Sequence, residues 1–345
     1  MVYIWHEKLW QELIARKGSL PHALLLHGQA GTGKRDFAVT LAHALLCEAP
    51  RDDGLPCGHC VACAWLAAGS HPDFRVLQPD SEAAVETIAS EEGKDEKEKK
   101  QSQLIAVAQV RELIESISLS ASRGGMRVVL VHPAEAMNVQ AANALLKTLE
   151  EPPPNSLFLL VSHQAQRLLP TVRSRCLKIA MPLPSHTQAL EWLAGQGVAE
   201  PQTCLAQAGY APLRALGLND SDYREKRLTF LLRLEEAQNA DPFTIAEMSE
   251  KTELAWVLNW LQTWIYDLVC AQATGKVRYH LDFSAKLMAL AEKVDVLQLL
   301  GFQRDLLSAQ KSLHHPLNVR LLLEQLLLSY WQIMNRKQEG ARVRE

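Results

Sequence analysis

The chain has 345 residues and a formal net charge of −3, with 36 Lys and Arg residues against 39 Asp and Glu residues. This length allows two or three domains of ordinary size, and the near-balanced charge excludes an overall field that attracts nucleic acid. The amino end has no signal-peptide pattern, and the most apolar segment, residues 254–270, is interrupted by polar residues and is too short to span a bilayer. We therefore expect a soluble, cytoplasmic protein.

A glycine-rich turn follows the first predicted strand, within residues 20–27, and a helix is predicted to continue from it. In a strand–GxxxxGK–helix arrangement, backbone amides converge on phosphates and the lysine reaches the outer phosphates. The next residue usually supplies a hydroxyl to magnesium, but here it is Arg35. The pattern predicts a P-loop fold and leaves nucleotide binding open. The candidate nucleotide-binding residues of this degenerate turn are Gly28, Gly31, Thr32, Gly33 and Lys34.

Four cysteines lie close together after the predicted helix. Cys47 ends that helix, and Cys57, Cys60 and Cys63 form two overlapping C-x-x-C units. In a chain with no export pattern, clustered thiols are expected to be reduced or bound to metal. Four thiolates fill the tetrahedral coordination of zinc and leave no open position. The spacing therefore predicts a structural zinc site, with His59 as a substitute ligand or redox chemistry of one C-x-x-C unit as alternatives.

Residues 81–103 form a highly charged insertion after the short predicted strand Phe74–Leu77. Glu and Lys residues are mixed along the insertion, which has too little apolar surface to fold alone. Because both signs of charge occur together, we expect a solvated, mobile loop rather than a binding tail. Helical periodicity resumes over residues 104–120.

The apolar run Arg127–Val131 predicts a buried parallel strand. In P-loop ATPases of this kind, carboxylates at the end of such a strand hold magnesium and position the attacking water. Here the strand is followed by His132 and Pro133, and Glu135 is out of place. Because Arg35 also replaces the usual hydroxyl, both positions expected to supply magnesium ligands lack them. The chain is therefore predicted not to hydrolyse ATP by itself.

Residues 138–151 predict an amphipathic helix that three consecutive prolines terminate. A second apolar strand, residues 157–161, is followed by Ser162. The sequence motif Arg-Ser-Arg-Cys occupies residues 173–176. The predicted buried face of the helix consists of Val139, Ala142, Leu145, Leu146 and Leu149.

The sequence motifs NALLKTLEEPP and RSRC resemble those of the AAA+ clamp-loader ATPases of bacterial DNA polymerase III. The resemblance extends over nearly the whole chain. It implies an α/β AAA+ P-loop domain, with a parallel sheet flanked by helices, over residues 1–182. That domain would contain the zinc module, residues 47–63, and the charged loop, residues 81–103. A three-helix lid would occupy residues 183–220, and an all-α domain that oligomerises as a collar would occupy residues 221–345.

The lost magnesium residues match the non-hydrolysing members of this family. The resemblance therefore implies a stationary loader subunit that assembles with gamma/tau and delta subunits within the DNA polymerase III holoenzyme, a DNA-directed DNA polymerase and nucleotidyltransferase. Arg175 corresponds to the family's arginine finger, which stabilises charge on ATP bound by a neighbouring subunit. Ser162 and Arg214 correspond to nucleotide sensors in the strand and the lid. The sliding clamp and primed DNA would be reached through the assembled complex, with no membrane involved.

Two other classes of function fit the sequence less well. An independent AAA+ ATPase acting on DNA would need the magnesium ligands that Arg35, His132 and Pro133 replace. A zinc-dependent DNA-binding module would need basic residues around the cysteines, where Asp52 and Asp53 occur instead.

In the helical carboxyl-terminal part, tryptophans 256, 260 and 264 predict a stripe buried in a helix face.

Overall fold

The computed structural model describes residues 1–81, 102–118, 125–236, 241–311 and 318–342, with only the backbone described for residue 118 and residues 336–342. The chain divides into two compact units, Met1–Gln188 and Ala189–Glu345. Almost all of the predicted mobile loop, residues 81–103, lies outside the described residues. Among the described residues, no helix is both long and apolar enough to cross a membrane.

A five-stranded parallel sheet with the order β2-β3-β4-β1-β5 forms the centre of the first unit. The three central strands are almost completely buried, as expected for parallel strands covered on both faces. Its strands are β1 Ala23–His27, β2 Phe74–Leu77, β3 Arg127–Val131, β4 Ser156–Ser162 and β5 Leu177–Ala180.

Apolar clusters cover both faces of the sheet, because alternate residues of each strand point to opposite sides. Leu24 and Leu26 pack with one cluster, whereas Leu25 packs with the other. The described helices of this unit are α1 Glu7–Ala15, α2 Lys34–Leu46, α3 Val61–Ala67, α4 Val107–Ser118, α5 Val139–Glu150 and α6 Pro170–Ser174. The sheet and these helices confirm the predicted α/β class.

The helix α5 shows one error in the predicted buried face. Its first residue, Val139, is 62% exposed, whereas Ala141, Leu145 and Leu149 are buried. These three residues are spaced by four, so the buried face is centred on their row and not on a row that begins at Val139. The Asn138 side chain caps the helix by accepting a hydrogen bond from the Ala141 amide at 2.8 Å.

Every regular element described in the second unit is a helix, which confirms the predicted helical carboxyl-terminal part. Trp260 and Trp264 of the predicted stripe are fully buried, and Trp256 is partly buried. The helices are α7 His186–Gly195, α8 Pro201–Gln207, α9 Pro212–Gly217, α10 Ser221–Glu235, α11 Pro242–Ser249, α12 Leu254–Thr274, α13 Ser284–Ala291, α14 Val296–Lys311 and α15 Val319–Arg342.

A buried polar network lies within the helices of the second unit. The Arg227 guanidinium contacts Asp282 at 2.7 and 3.1 Å and His280 Nδ1 at 2.6 Å. His280 Nε2 lies 3.0 Å from the Thr263 hydroxyl. Burial first, and then the positive charge of Arg227, lower the pKa of His280 well below its ordinary value. The folded chain therefore holds this imidazole neutral.

This lowered pKa predicts loss of stability in acid. The unfolded chain protonates His280 near its ordinary pKa of about 6.5, while the folded chain resists protonation. The stabilisation is thus complete above about pH 6.5 and falls by about 1.4 kcal/mol per pH unit below it. Urea unfolding at pH 7.5 and 5.5 should show a weaker pH dependence for His280→Asn than for wild type. The exposed His186, changed to Asn, is the control. Equal slopes for His280→Asn and wild type would contradict this expectation.

Candidate functional sites

The glycine-rich turn lies between β1 and α2 and wraps around the amino terminus of the helix. Gly31 and Gly33 have left-handed φ angles of 74° and 88°, which glycine adopts without the strain of a side chain. The first glycine, Gly28, donates its amide to the Ser162 carbonyl at 3.3 Å. Because β1 and β4 are paired with His27 opposite Ser162, this turn lies beside the end of β4. The structure therefore brings Ser162 to the phosphate loop.

The loop satisfies its own polar side chains. The Gln29 carbonyl accepts hydrogen bonds from the Lys34 ammonium and from the Thr32 hydroxyl, the latter at 2.9 Å. Only 2% of Lys34 is exposed, and burial lowers its pKa to about 8, although the negative charge of Glu135 acts in the opposite direction. The lysine that would bind an outer phosphate is thus turned back onto a carbonyl of its own loop.

Two aromatic residues near the amino terminus cover this turn. The rings of Tyr3 and Trp5 stack with their centroids 4.9 Å apart. The Tyr3 hydroxyl donates to Asp36 at 2.5 Å, and Trp5 Nε1 donates to the Thr32 carbonyl at 3.0 Å. A Cβ atom added to Gly33 would lie only 2.3 Å from the Tyr3 ring. The sequence reasoning missed this cover, for which the only local signal is the run of aromatic residues before α1.

The end of β3 has no carboxylate where a magnesium ligand would be expected. His132 occupies this position, is buried, and faces the ring of His163 with a centroid distance of 5.4 Å. Burial first, and then coulombic repulsion involving His163, Arg35 and Lys34, lower the pKa of His132 to about 3. The imidazole is therefore neutral at physiological pH.

Glu135, which the sequence placed out of position, holds the turn that follows β4. One of its carboxylate oxygens accepts the backbone amides of His163 at 2.8 Å and Gln164 at 3.2 Å. The Ser162 hydroxyl accepts the same Gln164 amide at 3.2 Å, so this candidate sensor is directed into its own turn. Glu135 also contributes negative charge near Lys34. Its carboxylate fixes the backbone at the edge of the phosphate loop.

The four predicted cysteine ligands lie together. The sulfur of Cys63 lies 3.7 Å from Cys47 and 3.9 Å from Cys57, and Cys47 lies 3.9 Å from Cys60. A zinc–sulfur bond of about 2.3 Å in a tetrahedron implies sulfur–sulfur distances of about 3.8 Å. His59 is exposed and contacts the Cys57 carbonyl at 3.1 Å. The cluster could hold a metal ion with four sulfur ligands.

Backbone amides support this cluster. The amides of Cys57, Cys60 and Cys63 donate to the sulfurs of Cys47, Cys57 and Cys60 at 3.3, 3.3 and 3.4 Å. The last of these bonds is also the amino-terminal cap of α3. Such bonds favour the thiolate form that a metal requires. The turn between Cys47 and Cys57 is attached to α1, because Trp10 Nε1 donates to the Asp53 carbonyl at 3.0 Å.

The candidate arginine finger, Arg175, follows α6 and remains partly exposed. One third of its side chain, 33%, is accessible. Its guanidinium forms an ion pair with Glu150 and donates to the Thr171 carbonyl at 2.9 Å. Among the described residues, its hydrogen-bond partners thus come from α5 and α6. Arg214, the candidate lid sensor, lies in the second unit and donates to Asn259 of α12 at 3.3 Å.

The sequence is similar to subunits of bacterial DNA polymerase III. Residues 5–185 match the family described as DNA polymerase III, delta subunit, and residues 221–332 match its C-terminal counterpart. DNA polymerase III subunit delta' of Pseudomonas aeruginosa is 38% identical over 96% of this chain and 97% of that protein. The Escherichia coli protein of the same name is 30% identical over 94% of each chain. A solved DNA polymerase III gamma subunit-related protein from Thermotoga maritima has a TM-score of 0.48 and 18% identity, covering 95% of this chain and 99% of that one.

The aromatic cover over Gly33 predicts an unusually costly alanine substitution. Gly33→Ala should lower the free energy of unfolding by about 2–4 kcal/mol, from left-handed strain and overpacking combined. Gly69→Ala is the matched control in the same unit, since Gly69 is also left-handed but has open space around it. It should cost about 1–2 kcal/mol.

A double-mutant cycle with Tyr3→Ala isolates the contact between the Tyr3 ring and the new methyl group. Gly33→Ala should cost less in the Tyr3→Ala background than in wild type, as measured by urea unfolding. Equal costs in the two backgrounds would show that the ring does not cover Gly33.

Proposed function

Because the chain belongs to the DNA polymerase III delta-prime subunit family, we propose that it is a non-hydrolysing clamp-loader subunit that donates Arg175 to ATP bound by a neighbouring subunit. It assembles with gamma/tau and delta subunits, and the complex loads the sliding clamp onto primed DNA in replication. Residues 221–345 form the collar of this assembly, and residues 183–220 form its lid.

One contrast within the first unit carries the proposal. The phosphate loop is closed on itself, with Lys34 buried against the Gln29 carbonyl and Tyr3 over Gly33. Arg175, by comparison, keeps a third of its side chain exposed. A chain that hydrolysed ATP would need an open phosphate loop. A chain that acts on a neighbour's ATP needs an accessible Arg175 instead. The contrast therefore favours action in trans.

The charges around the phosphate loop also argue against hydrolysis in cis. Magnesium is bound by oxygen ligands, which are usually carboxylates, hydroxyls and phosphates. The positions expected to supply them hold the Arg35 cation and the neutral, buried His132. The nearby carboxylate, Glu135, has one oxygen occupied by two backbone amides. An independent ATPase is therefore the weaker alternative, and any residual nucleotide contact by the loop or by Ser162 and Arg214 would be non-hydrolytic.

The chemistry of the finger is charge stabilisation. Phosphoryl transfer builds negative charge on the transferred phosphate and leaving oxygen, and a guanidinium beside them lowers the energy of that transition state. Arginine suits this role because it stays protonated and presents planar donors that fit phosphate oxygens. Fingers of this type contribute roughly 10³–10⁵ to the rate at the site they complete.

The four cysteines fit a structural zinc ion. Cys47, Cys57, Cys60 and Cys63 would be its ligands, and their sulfur spacing and amide donors suit a closed tetrahedral site. Zinc would supply a fixed cross-link between the end of α2 and the start of α3, with no position left for a substrate. The residues themselves hold the turn against α1 through Asp53.

We expect Arg175→Ala to lower the DNA-stimulated ATP turnover of the reconstituted loader. The measurement is steady-state phosphate release by the assembled complex, with assembly checked by size-exclusion chromatography. The isolated chain should release no phosphate above background. The control is Arg167→Ala, which removes an exposed arginine from the same unit and should leave turnover unchanged. A fully active Arg175→Ala complex would refute the finger role, and turnover by the isolated chain would refute the non-hydrolysing role.

We expect about one zinc ion per chain in native mass spectra of the purified protein. Cys60→Ser should lose the metal and lower the melting temperature, because a structural zinc contributes directly to folding. The control is Cys270→Ser, which changes a thiol outside the cluster. Stoichiometric zinc in Cys60→Ser, or no zinc in wild type, would contradict the assignment.

A further inference from the structure

The Arg175 side chain is held by the preceding parts of its own chain. Its Nη2 group forms the ion pair with Glu150, and its Nη1 group donates to the Thr171 carbonyl at 2.9 Å and to the Ser174 hydroxyl at 3.4 Å. Thr171 and Ser174 belong to α6, whereas Glu150 is the last residue of α5. Two separate elements therefore anchor one guanidinium.

The position of Glu150 is fixed by the way α5 ends. The prolines at 152–154 cannot continue the helix, so the helix stops at a defined residue. Leu149, immediately before Glu150, is buried in the core, and this packing fixes the backbone from which the Glu150 side chain extends. A carboxylate on a packed helix end is a firmer anchor than one on a loop.

The anchoring uses only part of the hydrogen-bonding capacity of the guanidinium. Arginine has five N–H donors, and those engaged here belong to the two Nη groups. Within the described residues, no hydrogen bond from Nε is found. The guanidinium is thus fixed while donors remain for an external acceptor such as a phosphate oxygen.

We propose that Glu150 is a positioning residue for Arg175, holding the guanidinium so that its remaining donors meet the phosphate of ATP bound by the neighbouring subunit. This inference rests on the proposed function, since it requires Arg175 to act in trans. Long arginine side chains lose much rotamer freedom when they bind, and a carboxylate anchor removes part of that freedom beforehand. Small errors in placing a catalytic group cost large factors in rate.

The effect should appear in catalysis and not in folding. Glu150 and Arg175 are 47% and 33% exposed, and ion pairs this open contribute little to stability because water screens them. Thermal melting of the isolated chain should therefore be nearly the same for wild type and Glu150→Ala. Assembly of the loader should also be unchanged.

We expect Glu150→Ala to reduce the Arg175-dependent part of loader turnover by about tenfold. This part is the DNA-stimulated phosphate release that is lost in Arg175→Ala. Glu150→Gln should retain most of it, because the amide oxygen can accept the same hydrogen bond. Glu151→Ala is the matched control, since it removes the adjacent exposed glutamate and should have no effect.

A double-mutant cycle distinguishes positioning from an unrelated defect. In an Arg175→Ala loader, adding Glu150→Ala should cause no further loss, because the group that Glu150 positions is already absent. An additive loss, or a Glu150→Ala loader as active as wild type or more active, would overturn this inference and leave the finger proposal standing. If Arg175→Ala itself has no effect on turnover, the proposed function fails first.

Discussion

The parallel pairing of β1, β3 and β4 brings the turns that follow these strands together around the phosphate loop. These strands end side by side, with His27 opposite Ser162 and Val131 opposite Leu160. The turns that leave them must therefore share one edge of the sheet, the edge at which α/β proteins generally bind ligands. Glu135 after β3 and His163 after β4 therefore interact electrostatically with Lys34, although these residues are far apart in sequence.

The central physical problem at this edge is a buried cation. An ammonium removed from water is costly unless hydrogen bonds and opposite charge compensate it. In an ATP-bound loop, phosphates would supply both, whereas here the Gln29 carbonyl and the nearby Glu135 carboxylate supply them. The compensation remains incomplete, which is why burial still lowers the pKa of Lys34 to about 8. The Gln29 carbonyl and the Glu135 carboxylate thus take the place of the phosphate that a P-loop lysine usually binds. The Tyr3 ring over Gly33 adds a steric barrier to phosphate.

The features predicted well from sequence depend on neighbouring residues in the chain. The glycine-rich turn, the buried strands and the cysteine spacing each form a local pattern with a direct physical meaning. A local sequence pattern could not reveal the aromatic cover over the loop, because its contacts join distant residues. Tyr3 lies 33 residues from Asp36, and Trp5 lies 27 residues from Thr32. Glu135 lies too far along the chain from the end of β3 to match the expected magnesium ligand, but its role depends on amides that follow β4. Spacing alone predicts that Val139 is buried, but it is exposed, because the surface against which a helix packs also decides which of its residues are buried.

The proposed role of Arg175 in trans is consistent with the packing of the first unit. Electrostatic stabilisation of a transition state is effective when the charged group is already in place and needs no reorganisation. Arg175 follows a helix of only five residues, α6, whose Thr171 and Ser174 accept hydrogen bonds from its guanidinium. Its second anchor on α5 joins it to the packed core, where Leu145 and Leu149 are buried. Under the proposed function, a phosphate loop that Lys34 closes onto the Gln29 carbonyl would leave this core unchanged through the neighbour's catalytic cycle. The predicted loss of hydrolysis in this chain and the fixed position of Arg175 would then be two consequences of the same packing.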